Sequence, residues 1–148
     1  MRKLLPTTYF FIYLALLLIL DWFFPGLPMI KPPYHFFIGL PLVFFGISFN
    51  LWAGRLFKEK KTTVKPFQRP SALVVEGPFR FTRHPMYLGF VSILLGLAFV
   101  LNNAVTLLLP MAMLMTMQIL FVSREEQTLE EIFGDDYRHY KKRVRRWL

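Results

Sequence analysis

Apolar residues along this chain fall in four blocks, and the charges fall between the blocks. The blocks run Thr8 to Phe24, Tyr34 to Ala53, Met86 to Leu101 and Ala104 to Val122. A helix rises about 1.5 Å per residue, so each block covers most of a hydrocarbon layer roughly 30 Å thick. The third is short, and Arg83 and His84 at its start can snorkel to the interface. Only Asn102-Asn103 interrupts the third and fourth blocks, which predicts a tight turn and an antiparallel helical hairpin. The blocks lack the two-residue alternation of strands, and one or two hairpins cannot close a barrel in lipid. The pattern predicts an all-α integral membrane protein: one domain, residues 1–148, with four transmembrane helices (8–24, 34–53, 86–101, 104–122). A cytoplasmic loop, 54–85, precedes the third helix, and C-terminal interfacial helices cover 124–148.

The segments between and after the blocks carry patterns of their own. The loop from Gly54 to Pro85 holds four prolines, yet Val64, Phe67, Leu73, Val74, Phe79 and Phe81 are mixed among its basic residues. A loop of that length is usually functional or disordered, and the apolar residues point to a segment packed on the cytoplasmic surface. After the fourth block, Leu129, Ile132, Phe133, Tyr137, Tyr140, Val144 and Trp147 recur at three- and four-residue steps. That is an amphipathic helix with a break expected at Gly134-Asp135, and its basic late half reads as interfacial.

Charge sets the orientation. The net charge is +9. Arg2 and Lys3, the basic residues of the middle loop, and those from Arg124 to Arg146 lie on one side, with only Lys31 opposite. The positive-inside rule puts both termini and the middle loop in the cytoplasm of a bacterial or archaeal-type cell membrane. The same basic residues suit anionic membrane lipids better than nucleic acid, whose groove binders do not need long apolar runs. The start Met1-Arg2-Lys3 could open a signal peptide, but Asp21, Trp22 and Pro25 follow the first block instead of a small-residue cleavage site, which suits a retained helix. There is no Cys, which excludes disulfides, thiolate metal sites and a Cys nucleophile. The three His residues stand far apart with no metal-ligand spacing, so no metal centre is expected.

Two segments are too specific for linkers. One is Gly77-Pro78-Phe79-Arg80-Phe81-Thr82-Arg83-His84-Pro85-Met86-Tyr87-Leu88-Gly89, at the entry to the third helix. The other is Glu125-Glu126 with Leu129, Phe133-Gly134, Tyr137 and Tyr140, at the exit of the fourth. A hairpin brings both to one membrane face. Pro85 starts a helix well, and the free N–H groups of a first turn favour an anionic or polar ligand group. His84 and Tyr87 add directional hydrogen bonds, and two carboxylates can hold hydroxyls or an ammonium group. Gly89 lets a flat ligand or a neighbouring helix approach. Singly, each has a plain reading: the basic residues as topology determinants, the glutamates as a solvated helix start, the aromatics as interface anchors, Asp21 as an interfacial acid.

Together these residues resemble the membrane methyltransferase superfamily of isoprenylcysteine carboxyl methyltransferases and phospholipid N-methyltransferases. The resemblance is carried by Arg83-His84-Pro85-Met86-Tyr87-Leu88-Gly89 and by Glu125-Glu126, Leu129, Phe133-Gly134, Tyr137, Tyr140 and Val144, with Arg69 to Gly77 as the approach. It covers the chain from about Thr62 onward. It implies S-adenosyl-L-methionine as methyl donor, bound at the cytoplasmic end of the hairpin. By position the pocket would use Ser71, Ala72, Leu73, Val74, Phe79, His84, Pro85, Met86, Tyr87, Glu125 and Glu126. In the prenylcysteine enzymes an arginine four residues before the first such glutamate serves the substrate carboxylate. Phe121 stands there in this chain, and Arg124 is a weak, offset substitute, which counts against a prenylcysteine acceptor.

Methyl transfer from a sulfonium needs alignment and exclusion of water rather than a metal or a covalent intermediate. The expected acceptor is a lipophilic small molecule entering from the bilayer. An amine or hydroxyl acceptor needs a base, for which His84, Tyr87 and Glu126 are candidates. Two rival readings remain at this stage. One is a sterol-type membrane reductase using NADPH. The other is a non-enzymatic scaffold whose basic loops bind anionic lipid. The acceptor and the oligomeric state are not legible.

Overall fold

The computed structural model describes residues 4–25, 28–63 and 69–148. The described residues are helical or irregular, with no strand among them. Arg2, Lys3, Gly26, Val64, Lys65 and Phe67, which entered the sequence reading, lie outside the described residues.

Helix α1 (Pro6–Phe23) opens on a proline at its first position, where no intrahelical partner is lost. Helix α2 (Tyr34–Glu59) continues six residues past the apolar block, because nothing after Ala53 breaks a helix. It tolerates Pro41 inside, as membrane helices do where neighbours pack against them. A 3₁₀ turn (Gly77–Arg80) leads to α3 (Pro85–Leu101). Asn102 takes a left-handed conformation, φ 55°, which ends α3, and the Asn103 side chain accepts from Val105 N–H to start the return. A 3₁₀ turn (Ala104–Leu107), α4 (Leu108–Met117) and a π turn (Gln118–Val122) then run without interruption into α5 (Ser123–Arg143). The expected boundary near residue 122 is therefore a change of helix type. Gly134, with φ 52° and ψ −120°, kinks α5 where the break was expected.

The hairpin of α3 and α4 forms as predicted, but the most extensive helix pairing is α2 against α3. Lipid is as apolar as leucine, so membrane helices are held by close packing rather than by escape from water. Glycines allow that closeness here. A Cβ on Gly39 would lie 2.7 Å from the Gly96 carbonyl oxygen, and one on Gly46 would lie 2.5 Å from that of Gly89. Gly89 faces Gly46 and Asn50, so its missing side chain serves a neighbouring helix.

Helix α1 packs on α3 and α4. Leu17, Leu94, Met113, Met117 and Val122 are fully buried between these elements. At the end remote from the motifs, Asn102 accepts from Met29 N–H and Ile30 N–H, both at 3.0 Å, and donates to Ile30 C=O. Asn103 donates to Asp21 and to Phe24 C=O, so Asp21 is tied to the hairpin turn.

The outer faces of α1, α2 and α4 expose Phe11, Leu18, Trp22, Phe37, Phe44, Met111, Met115 and Ile119. Pro6–Phe23, Tyr34–Glu59 and the run within Ala104–Arg143 are long and apolar enough to cross a membrane. Pro85–Leu101 is apolar and 17 residues long. The chain is an all-helical integral membrane protein.

Candidate functional site

Both motifs meet at one end of the bundle. Pro85 fixes the start of α3, so Arg83, His84 and Tyr87 project from the last loop residues and the first helical turn. The π turn before Ser123 inserts an extra residue into the helix and sets the facing of the two glutamates that follow. They diverge: Glu126 is buried, and Glu125 faces a cavity.

Glu126 anchors a dense ion cluster. Its Oε1 accepts from Arg83 Nη2 at 2.7 Å and Nε at 3.0 Å, and from Arg146 Nε at 3.1 Å. Its Oε2 accepts from Arg146 Nη2 at 2.6 Å. The His84 Nε2 lies 3.3 Å from Oε1. On the other side of the imidazole, Nδ1 lies 3.5 Å from Glu125 Oε2. The Tyr87 hydroxyl donates to Glu125 Oε1, and the Tyr87 ring stacks on His84 at 5.7 Å.

An imidazole with a carboxylate at each nitrogen is stabilised as the cation. Burial opposes that charge, but the bonds to Glu125 and Glu126 outweigh it, and the His84 pKa is raised. Burial likewise favours the neutral acid at Glu126, yet His84, Arg146 and Arg83 hold it well below the usual carboxylate range. Arg83, expected to snorkel, is instead buried. Four of its donor contacts are used inward, on Glu126 and on the Lys141 and Val144 carbonyls. A guanidinium is released from water only when its donors are this fully matched.

Beside the cluster lies a cavity of about 320 Å³. Of the residues predicted for it, Ala72, Leu73, Val74, Phe79, His84, Pro85, Met86, Tyr87 and Glu125 line it. Ser71, Glu126 and Arg124 do not. Ser71 bonds backward to Thr62 and Lys61, Arg124 is exposed, and Glu126 stands behind His84. Residues the sequence reading did not assign complete the walls: Leu5, Pro6 and Thr7 before and in α1, Phe57 of α2, Phe90 of α3, and Thr128, Leu129, Tyr137 and Tyr140 of α5. The three- and four-residue spacing of the last group was a usable signal; nothing in the sequence pointed to α1. Arg146 and Trp147 were also missed, and both sit against the cluster. Phe121, at the position of the arginine expected in prenylcysteine enzymes, is buried and edge-on to Tyr9.

This chain matches the phospholipid methyltransferase family over residues 34–136. It belongs to that family. A Schizosaccharomyces pombe protein-S-isoprenylcysteine O-methyltransferase is 38% identical over 72 residues, which are 49% of this chain and 30% of the yeast protein. A Haemophilus influenzae protein described only as uncharacterized is 41% identical over 63 residues, 43% of this chain and all of that one. The solved structure of a eukaryotic intramembrane Ras methyltransferase, an isoprenylcysteine carboxyl methyltransferase, shares the fold. Its TM-score is 0.72 at 22% identity, over 96% of this chain and 51% of that one. The chain thus spans about half of the solved enzyme and under a third of the yeast one.

Proposed function

We propose that this membrane methyltransferase family member uses S-adenosyl-L-methionine to methylate a lipophilic small acceptor at the cytoplasmic membrane face. The observation that carries the reading is the single carboxylate of Glu125, presented to a largely apolar cavity and held by Tyr87 and His84. Each carboxylate oxygen has capacity beyond those bonds, so Glu125 can also take an ammonium group or ribose hydroxyls. The aromatic walls around it, Phe79, Phe90, Tyr137 and Tyr140, suit a flat ring and a neighbouring cation. When bound, S-adenosylmethionine supplies a methyl group already activated on a sulfonium.

The protein then has to align two reactants and exclude water. His84, with a carboxylate facing each ring nitrogen, is placed to orient Glu125. Glu126 is saturated by its cations. An acceptor that must lose a proton therefore has Glu125 as the carboxylate within reach. The residue four before Glu125 is Phe121, not an arginine, which counts against a prenylcysteine carboxylate as the acceptor. Both α1 and α2 pack on α3, and the cavity is walled by Pro6 on one side and Phe57 on the other. A lipophilic acceptor is proposed to enter from the bilayer between helices, and Pro6 and Phe57 are wall residues contributed by α1 and α2. The positive-inside rule, applied to the basic segments at this end of the helices, supports a cytoplasmic cavity and cytoplasmic termini.

Calorimetry on detergent-purified protein tests the reading with S-adenosylhomocysteine and, separately, NADPH. Binding of S-adenosylhomocysteine and not of NADPH is expected. A folded sample that binds only NADPH, or neither, refutes it.

A further inference from the structure

Segment 144–147 leaves α5 in extended conformation at Val144, φ −120°, and folds back on the entry to α3. Arg83 N–H donates to the Arg145 carbonyl at 3.1 Å, and the Thr82 hydroxyl donates to the Arg146 carbonyl at 2.8 Å. The Trp147 ring lies 6.0 Å from that of His84, and its Nε1 donates to Gln118 in the π turn at 3.2 Å. The segment therefore clasps both strands of the hairpin where the two motifs meet. It contributes no residue to the cavity wall.

The two arginines on Glu126 are not equivalent. Arg83 gives both Nε and Nη2 to one oxygen, Oε1. That grip is a pivot about which the carboxylate plane can turn. Arg146 bonds both oxygens, and nothing else bonds Oε2 among the described residues. A two-point guanidinium contact fixes the plane as well as the position. With the plane fixed, Oε1 stays opposite His84 Nε2, and the imidazole is aligned so that Nδ1 meets Glu125. We propose that Arg146 is a positioning residue: acting through Glu126 and His84, it sets the carboxylate of Glu125 at the cavity. The proposal rests on the cofactor reading above, since it concerns the group expected to meet the ligand.

The test measures S-adenosylhomocysteine affinity and thermal melting in detergent for wild type, Arg146→Gln, Arg146→Lys and Arg138→Gln. Arg138 is an exposed control on α5, the helix that leads into the Arg146 segment, and is paired with Glu130 and Asp135. Arg146→Gln is expected to weaken binding at least tenfold at temperatures where it is fully folded. Arg146→Lys keeps the charge and loses the two-point contact, so it should fall between Gln and wild type. The control should bind like wild type. A role in folding alone would lower the melting temperature and leave the affinity of the folded protein unchanged; that result overturns the proposal. If Arg146→Gln does not fold, Arg146→Lys decides: wild-type affinity overturns the proposal, and a three- to tenfold loss supports it. Wild-type protein that binds no S-adenosylhomocysteine refutes the functional reading and takes this proposal with it, whereas wild-type binding with an indifferent Arg146→Gln refutes the proposal alone.

Discussion

Glu125 and Glu126 are sequence neighbours whose loss should produce opposite phenotypes. Glu126→Gln keeps the volume and removes the charge at the centre of the cluster. Arg83, whose side chain is 8% exposed, then faces a neutral partner, and so does the buried His84 imidazole. Breaking a buried ion pair by removing one partner costs about 3–5 kcal/mol, because the remaining charge is left uncompensated. That is a large share of a typical stability of about 5–15 kcal/mol. At about 3 °C per kcal/mol for a chain of this size, the melting temperature should fall by about 9–15 °C. Glu125 is more exposed, at 19%, and its partners are Tyr87 and His84, the latter still held by Glu126. Glu125→Gln should therefore melt within a few degrees of wild type. It should lose a charged contact to the ligand worth about 1.5–3 kcal/mol, or roughly 10- to 100-fold in affinity for S-adenosylhomocysteine. Differential scanning fluorimetry and calorimetry on the two variants give both numbers. Equal melting temperatures for the two, or a Glu125→Gln variant that binds ligand like wild type, would refute the division of labour.

Stability should also depend on pH in a defined way. The stabilisation that accompanies the raised His84 pKa is fully present below the ordinary imidazole value of 6.5 and is lost as pH rises through the higher folded value. The stabilisation that accompanies the lowered Glu126 pKa is present above the ordinary carboxyl value of 4.5 and is lost as pH falls toward the folded value. Melting curves against pH should thus decline on the alkaline side, and His84→Gln should flatten that limb; an unchanged alkaline decline would count against the cationic imidazole. Gly96→Val should abolish folding in detergent, judged by size-exclusion profile, because its Cβ would sit 2.6 Å from the Gly39 carbonyl oxygen. Gly54→Val, whose added Cβ would meet only open space, should run as wild type. Asn102→Ala removes three hydrogen bonds to Met29 and Ile30 and should lower stability by about 1–3 kcal/mol in chemical denaturation, with ligand affinity unchanged.

The helices were legible because apolar blocks and charged gaps are local facts. Asn102-Asn103 and Gly134 were legible too, since each breaks a helix by its own backbone preference. Partner choice was not. Gly39, Gly46, Gly89 and Gly96 stand seven residues apart on two helices, but nothing local says that the second and third blocks face each other more closely than the third and fourth. The end of the fourth apolar block looked like a boundary because charge begins there, yet no residue at 122–124 interrupts hydrogen bonding, so the helix runs on. Nine of the residues proposed for the pocket line the cavity, because the motifs carry their own geometry. Glu126 is not among the cavity-lining residues, since adjacent residues on a helix point about 100° apart and Glu125 is the one that faces the cavity. Arg83 and Arg146 read as surface charges; only a folded cluster with matched donors makes the buried Arg83 guanidinium tolerable and draws the half-exposed Arg146 onto it.

The glycine contacts between α2 and α3 leave those two helices backbone against backbone, with little room for one to slide past the other. Helix α1 has no such seam, and residues 34–136, which match the family, exclude it. Yet Pro6 and Thr7 of α1 form part of the cavity wall. The cavity thus has one wall on a glycine-locked frame and another on a helix outside the family match. Exchanging Pro6 and Thr7, with the core contacts of α1 kept, is the direct way to vary the proposed acceptor cavity without touching the Glu125–His84–Glu126 array.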